Sequence, residues 1–293
     1  MSDFPDPQPG EPLPRAPQAP PTYLPMTYAP LPVPVLADGP APQNRLTVAF
    51  RWILVIPAAV VVFFLGVGAF VIAIIGWFGA LFTGRLPRFA ADYLSGYVRW
   101  SARVVGYGSY LLTGKYPPFT FEDREDYPIR VAFEPGGLNR LAVLFRIILG
   151  YPASVVTGVL NLGFAPIIAF VTWLITLING TMPTSLHQAL AAIFRFQIRM
   201  SAYWFMLTPT QPWWGLFGDR DDASGAGGPA ARWPLVLGTT AKRLVIVVIV
   251  LGALITIAAD IYNVTSTSNS TVNVGGLPQR LRIAIRQLPG LAR

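Results

Sequence analysis

The sequence contains no cysteine and a single histidine, His187, in 293 residues. Without thiols, disulfides, thiolate catalysis and cysteine-based metal sites are excluded. His187 lies on a predicted turn with no carboxylate within five residues of it, so a metal site there would depend on distant acids. The sequence therefore predicts no catalytic residue, no metal site and no cofactor, and we expect a protein that is not an enzyme.

Charged residues are also scarce, at 12% of the chain, whereas hydrophobic residues make up 53%. That balance is typical of a membrane protein. The formal charge of +8 would suit nucleic acid if it were gathered on one polar domain, but the 22 Lys and Arg residues are scattered at the ends of apolar runs. Such positions favour anionic lipid headgroups, so we expect membrane lipids and no nucleic acid as partners.

A fifteen-residue stretch occurs twice in the chain. Asn44–Ala58 returns 95 residues later as Asn139–Ala153, with ten of the fifteen positions identical. Each copy opens a long apolar run that closes on a small-residue turn, at Gly84 in the first copy and at Gly180 in the second. The chain therefore contains two copies of one membrane unit, and we expect both halves to follow the same helical course.

The predicted fold class is an all-α integral membrane protein. It has two tandem pseudo-repeats, each a kinked long apolar helix followed by an amphipathic helix rich in Arg and aromatic residues, and then one C-terminal transmembrane helix. The layout is a disordered Pro-rich tail (1–43, with 14 of the 29 prolines), membrane repeat 1 (44–126), a short linker with a possible strand (127–138), membrane repeat 2 (139–222), a flexible linker (223–241), the C-terminal transmembrane helix (242–262), and a polar spacer with a basic amphipathic segment (263–293).

The long apolar runs need a break if they are to fit a bilayer. Trp52–Phe82 has no charge over 31 residues, which as one helix would measure about 46 Å against a hydrocarbon core of about 30 Å. Pro57, repeated as Pro152, predicts a kink that leaves the preceding residues at the interface. A second reading folds each run into a hairpin, at Gly66–Gly68 in the first copy and at Asn161–Gly163 in the second.

The helix after each turn carries a polar stripe. Asp92, Arg99 and Arg103 fall on one helical face, and the second copy repeats the pattern with Gln188, Arg195 and Arg199. Arginines at headgroup depth could hold lipid phosphate by bidentate hydrogen bonds, or could simply reach the interface and anchor the helix. The possible lipid-headgroup residues are therefore Arg99, Arg103, Arg195 and Arg199.

The flanking charges of the last span predict orientation. Lys242 and Arg243 precede the apolar stretch Leu244–Tyr262, and no basic residue follows before Arg280. The positive-inside rule places the N-terminal side of this span in the cytoplasm. Counting back through two units that each enter and leave on one side, we expect a multi-pass plasma-membrane protein with a cytoplasmic N-terminus and an extracytoplasmic C-terminus.

Several motifs together resemble a known family. Trp77–Pro87 reads WFGALFTGRLP and Leu111–Phe119 reads LLTGKYPPF, and both follow the repeated RLxVxFRxIL pattern. The set is similar to an uncharacterised, mainly actinobacterial, integral membrane domain of unknown function that occurs singly or in tandem. The resemblance covers residues 44–222. It implies a membrane location, and since the family has no established activity it supplies no catalytic residues.

These observations predict a non-enzymatic scaffold or accessory subunit in the plasma membrane that contacts anionic lipids. A protein partner could bind it within the membrane or through the Pro-rich tail. The alternative is a small transporter or lipid-handling protein that uses the interface between the two repeats. No chain of carboxylates or histidines for ion coupling is visible in the sequence.

Overall fold

The computed structural model describes residues 33, 35–133, 136–163, 168–210, 216–217 and 235–270. Within these ranges the chain forms two short strands and eight helices. They are β1 (Val35–Ala37), α1 (Arg45–Ala49), α2 (Arg51–Thr83), α3 (Arg88–Gly108), β2 (Ile129–Val131), α4 (Arg140–Leu144), α5 (Arg146–Gly163), α6 (Ala169–Asn179), α7 (Thr184–Trp204) and α8 (Thr239–Ser270).

Both copies begin and end their long helical run in the same way. Asn44 caps α1 by accepting a hydrogen bond from the Leu46 N–H, and Asn139 caps α4 by accepting one from the Leu141 N–H. Gly84 ends α2 and Gly180 ends α6, with left-handed φ angles of 72° and 74° that favour glycine. After each turn the chain reverses into α3 or α7.

The break near the start of each run is set by a phenylalanine. Phe50 separates α1 from α2, and the equivalent Phe145 separates α4 from α5. The helix does not break at Pro57 or Pro152, because both prolines lie inside continuous helices. A proline near the first turns of a helix removes only one backbone hydrogen bond, so the helix can continue through it.

The hairpin predicted as an alternative at Gly66–Gly68 is also wrong, since α2 continues through it. These glycines instead admit two tyrosines from α3: a Cβ on Gly66 would lie 2.9 Å from the Tyr97 hydroxyl oxygen, and one on Gly68 2.5 Å from that of Tyr93. In the second copy α5 continues through Asn161 to Gly163 and α6 begins at Ala169, and residues 164–167 between them lie outside the described ranges.

The two copies contact each other reciprocally. The Leu138 N–H donates to the Gly84 carbonyl at 2.9 Å, and the equivalent Gln43 N–H donates to the Gly180 carbonyl at 2.8 Å. The start of each copy therefore lies at the far end of the other copy's long run, so α2 and α5–α6 run in opposite directions. This exchange of equivalent contacts is that of a two-fold related dimer built within one chain.

β1 and β2 pair antiparallel, with Leu36 opposite Arg130. The segment in which the sequence predicts a possible strand thus contains β2. The prediction that residues 1–43 form neither helix nor sheet is wrong for Val35–Ala37, whose backbone N–H groups are available between the prolines. Residues 1–32 lie outside the described ranges.

Two helices in the described residues, α2 and residues 239–266 of α8, are long and apolar enough to cross a membrane. α3 and α7 form the buried centre of the molecule, while most of α2 is exposed. α8 packs on α5 and α7 and continues to Ser270, so the predicted end of this helix at Tyr262 is too early. The basic segment predicted after residue 270 lies outside the described ranges.

Candidate functional site

A buried arginine fastens the start of the long run to the end of the following helix in each copy. Arg51 donates from Nη1 to the carbonyl oxygens of Tyr107 at 3.1 Å and Thr113 at 3.0 Å, and its guanidinium carbon lies 4.4 Å from the centre of the Tyr107 ring. These bonds tie α2 to α3, and since Arg51 is 1% exposed, it is a structural clamp.

The second copy reproduces this clamp with equivalent residues. Arg146 donates from Nε to the Tyr203 carbonyl at 2.6 Å and from Nη2 to the Thr208 carbonyl at 2.7 Å. Its guanidinium carbon lies 4.1 Å from the centre of the Tyr203 ring. Backbone carbonyls are neutral, so they supply no anion to balance either guanidinium. The hydrogen bonds to the carbonyls and the contact with the face of the tyrosine ring stabilise both arginines instead.

Three of the four arginines that the sequence singles out as possible headgroup ligands are enclosed by the chain. Arg103 donates to the carbonyl oxygens of Thr120 and Glu122, and Arg199 donates from Nε to the Val33 carbonyl at 3.0 Å. Arg195 is buried in α7. The bonds of Arg103 and Arg199 hold loops against the central helices, so these side chains face protein.

The fourth, Arg99, lines a cavity. Its Nε donates to the Val131 carbonyl at 3.2 Å, Nη1 reaches Ser95 Oγ at 3.5 Å, and the guanidinium carbon lies 5.2 Å from the Phe133 ring centre. These contacts fix the plane of the guanidinium. In the part of the chain that the structure describes, Nη2 donates no hydrogen bond, so it is available to a ligand.

The cavity has a volume of about 560 Å³, within the range of small-molecule sites. It lies where α2 turns into α3 and is closed by the segment after β2 and by the end of α7. Arg85 and Arg88 stand beside Arg99 in its wall, and among the described residues of the wall Asp92 is the one carboxylate. The rest of the wall is formed by Leu86, Ala91, Ser95, Phe133, Gly136, Gly137, Met206 and Leu207.

The electrostatics of the cavity favour an anion. Burial lowers the pKa of Arg99, while the carboxylates of Asp123 and Asp92 oppose that shift, and an arginine so shifted stays protonated. The side chains of Arg85 and Arg88 make no hydrogen bond or ion pair within the described residues, and both residues are exposed. Three guanidinium groups around one opening can hold the oxygens of a phosphate or carboxylate.

The equivalent place in the second copy is different in composition and is covered. Thr181, Thr184 and Gln188 replace Arg85, Arg88 and Asp92, so two cations and one acid are lost. Gln188 accepts a hydrogen bond from the Gly238 N–H at 3.3 Å, which places the start of the last helical segment over this position.

His187 is buried at the position of the second copy that is equivalent to the cavity of the first. It lies in the first turns of α7, and the turn predicted for it from sequence is wrong. Its Nε2 is 3.4 Å from the Leu112 carbonyl oxygen, and the side chain is buried. The first copy therefore has an open basic cavity, and the second has a packed core in the same position.

The acidic residues of the first loop pair with arginines. Arg130 contacts Asp123 at 2.7 Å and Glu125 at 3.7 Å, and Arg124 contacts Asp126 at 3.0 Å. In the described residues no three His, Cys, Asp or Glu side chains are grouped so that they could hold a metal ion. The second acidic cluster, residues 219–222, lies outside the described ranges.

Sequence reasoning identified Arg99 and Asp92 on one helical face but not the rest of the cavity. Arg85 and Arg88 were visible as a basic pair at the turn after the first long run, where their charge opposes the extracytoplasmic side that the count of spans gives this turn. Phe133 and Met206 could not be assigned, because one follows β2 and the other belongs to the second copy. The clamp residues Arg51 and Arg146 had a signal, since both are identical positions of the repeated stretch.

Comparison with known proteins agrees with the duplication. The family model described as Domain of unknown function (DUF4389) matches residues 45–120 and again residues 140–215. No curated protein and no solved structure matches the chain. The two matches cover more than half of the sequence and coincide with the two structural copies, so the chain belongs to the DUF4389 family and carries its domain twice in tandem.

Proposed function

We propose that this chain is a non-enzymatic membrane protein, a scaffold or accessory subunit, that binds the anionic headgroup of a lipid in the cavity of its first copy. The observation that carries the proposal is the position of the cavity. The cavity wall with Arg85 and Arg88 lies beside two exposed rings, Phe82 at the end of α2 and Phe89 at the start of α3, which are 72% and 56% exposed. A lipid with its acyl chains against these rings would bring its phosphate to the arginines.

The exposed surface of α2 supports the membrane location. Large apolar side chains are exposed along its whole length, and such a surface is too extensive for a soluble monomer. We place the protein in the plasma membrane with a cytoplasmic N-terminus and an extracytoplasmic C-terminus. The orientation follows the positive-inside rule, because the basic pair Lys242 and Arg243 precedes the exposed part of α8. A protein partner that binds the N-terminal tail would contact residues outside the described ranges.

The alternative of a transport pathway between the copies stays a prediction. Where the copies meet, Tyr110 contacts Phe194 ring to ring at 5.6 Å, and a Cβ on Gly106 would lie 3.5 Å from Phe194. Tight packing of this kind stabilises a scaffold, and it gives the pathway no specific support.

The test is lipid binding by the purified protein. We would reconstitute the wild-type chain and the variant Arg85→Gln/Arg88→Gln/Arg99→Gln, then measure bound phosphatidylglycerol and phosphatidylcholine by native mass spectrometry. Because a hydrogen bond to a charged group contributes about 1.5–3 kcal/mol, we expect the variant to bind phosphatidylglycerol at least about tenfold more weakly. Phosphatidylcholine binding should not change.

The matched control removes the same charge elsewhere. Arg45, Arg140 and Arg243 are exposed and lie outside the cavity, so Arg45→Gln/Arg140→Gln/Arg243→Gln should retain the wild-type preference. Equal loss in both triple variants would show that net charge alone attracts the lipid and would contradict the site. Competition by inorganic phosphate as strong as by the lipid would assign the cavity to a free anion.

A further inference from the structure

The charged side and the apolar side of the first copy lie opposite each other across its helices. Val62 and Leu65 of α2 and Phe121 of the following loop pack against one buried cluster, Ala58, Trp100 and Val104. At this level of α2, Phe63 and Phe64 are each 67% exposed. A few residues after Phe121, the Glu125 side chain is 90% exposed.

The charged loop follows α3 for most of its length. Tyr116 contacts the Tyr107 ring at 5.5 Å, Phe119 contacts Trp100 at 5.6 Å, and Phe121 contacts Tyr93 at 5.8 Å. Tyr107 and Tyr93 are fourteen residues apart in α3, which corresponds to about 21 Å of helix. Since α3 runs antiparallel beside α2, the loop accompanies α2 over a comparable distance.

An upright α2 would therefore place this loop inside the bilayer. The hydrocarbon core is about 30 Å thick, and irregular backbone exposed to lipid does not occur at that depth. Glu125 and the ion pair of Arg124 with Asp126, whose side chains are 50% and 63% exposed, would face acyl chains. Turning the axis of α2 into the membrane plane removes the conflict, because the exposed rings then enter the lipid while the loop stays in water.

We propose that α2 lies along the plane of the membrane with its exposed face in one leaflet, and that the loop after α3 forms the aqueous face. This inference rests on the membrane location proposed above. The second copy, whose long run is antiparallel to α2, presents its own apolar side chains: Ile147, Ile148 and Tyr151 in α5 are 70%, 68% and 67% exposed. α8, with Leu254, Ile257 and Ile261 exposed, is the helix that crosses.

This placement sets the cavity at headgroup depth. Its walls come from the start of α3 and from Phe133 and Gly136 of the aqueous layer, and the exposed rings of Phe82 and Phe89 lie beside it. Phosphate oxygens lie at the boundary between the apolar and aqueous layers of a leaflet, which is where Arg85, Arg88 and Arg99 are found. Lipid could therefore enter the cavity from the side without leaving its leaflet.

The absence of cysteine makes the whole chain suitable for single-cysteine labelling. Trp52, Phe63, Phe70 and Ile74 are exposed and lie within about 40° of one another on α2 at 100° per residue. We would replace each by cysteine, attach a nitroxide, reconstitute the full chain in phosphatidylglycerol–phosphatidylcholine vesicles, and measure the ratio of collision with oxygen to collision with a water-soluble nickel chelate. Ile56→Cys, which is exposed and lies on the same stripe, is the replacement for any variant that does not incorporate.

An α2 in the membrane plane predicts similar immersion depths at all four sites, within about 5 Å. An upright α2 predicts a central maximum and shallow ends, since the sites extend over about 33 Å of helix, and that profile would overturn the proposal. Low collision rates with both reagents along α2 would show that protein covers it, and would also overturn it. Extraction of the unlabelled protein by alkaline carbonate would instead contradict the membrane location itself.

Sidedness gives an independent readout. Arg45 and Arg140 are exposed and lie at opposite ends of α2, because Arg45 precedes it and Arg140 contacts the position of Gly84. With α2 in the plane, Arg45→Cys, Arg140→Cys and Glu125→Cys react with an impermeant maleimide from the same side of sealed vesicles. Reaction of Arg45→Cys and Arg140→Cys from opposite sides would overturn the proposal.

Discussion

Trp173 donates its indole N–H to the carbonyl oxygen of Val48 at 2.8 Å, across 125 residues of sequence. The equivalent tryptophan of the first copy, Trp77, donates to the equivalent carbonyl of the second, Val143, at 3.0 Å. Each copy thus fixes the entry helix of the other. This reciprocity gives the duplication a physical purpose, because Val48 and Val143 are buried and the carbonyl of each accepts an indole N–H that only the other copy supplies.

Removing these two bonds should weaken the contact between the copies. We expect Trp77→Phe and Trp173→Phe each to lower the free energy of unfolding by about 1 kcal/mol, the usual net contribution of a hydrogen bond. Thermal unfolding in detergent would measure it. Trp52→Phe is the control, since Trp52 is exposed and its indole N–H makes no hydrogen bond in the described residues. A similar loss in the control would contradict the role of the indole N–H.

The buried arginine clamp should be far more sensitive than an exposed arginine. Arg146→Met removes the guanidinium bonds to the Tyr203 and Thr208 carbonyls, and within the described residues only the Tyr203 carbonyl keeps a second donor, the Met206 N–H. An unsatisfied buried acceptor costs about 1–3 kcal/mol. We expect a loss of about 3 kcal/mol in the free energy of unfolding, measured by denaturation in detergent. Arg140→Met, at an exposed position of the same copy, should change it by less than about 0.5 kcal/mol.

The crossing of α5 and α8 depends on two glycines. A Cβ on Gly163 would lie 2.1 Å from the Val248 carbonyl oxygen, and one on Gly252 would lie 1.9 Å from that of Val159. We expect Gly163→Ala to separate the helices and to destabilise the protein by about 1–3 kcal/mol. Gly158→Ala in the same helix meets no atom within 4 Å and should be neutral or stabilising. Equal effects on the melting temperature would contradict the close approach.

The carboxylate in the cavity wall should oppose an anionic ligand. Asp92→Asn removes a negative charge beside Arg99 without a change of shape. We expect phosphatidylglycerol to bind about fivefold more tightly. In water, the repulsion between the Asp92 carboxylate and a lipid phosphate a few ångströms away is about 1 kcal/mol, and the variant loses it. Gln188→Asn, at the equivalent covered position, should have no effect. Unchanged or weaker binding by Asp92→Asn would place the anion elsewhere.

Acid should destabilise the second copy through His187. Burial lowers the pKa of this histidine in the folded protein, and the Leu112 carbonyl and Asp38 oppose the shift. As the pH falls, the imidazole is therefore protonated at a higher pH in the unfolded chain than in the folded protein. Stability is therefore complete above about pH 6.5 and falls as the pH decreases below that value. His187→Gln should flatten the melting temperature between pH 7 and pH 5, and an unchanged pH dependence would assign the acid sensitivity to other groups.

The sequence predicts the elements of this fold well because their signals are local. The repeated stretch, the glycine turns and the charge-free runs define both copies, and Arg99 is found from its helical stripe. The relation between the copies is not local: the Trp173–Val48 bond and the Leu36–Arg130 pairing join distant segments, and no periodicity records them. The helix break at Phe50 is not predicted from the sequence either, and Pro57 lies inside the helix that follows it.

The central claim is that the two copies run in opposite directions within one chain. Spin labels on Arg45→Cys and Arg140→Cys, measured by pulsed dipolar spectroscopy in detergent, test it most directly because the 33 residues of α2 separate the two sites. The account predicts a distance of roughly 50 Å, the length of that helix. A distance of about 25 Å or less would place the equivalent starts side by side and would contradict it.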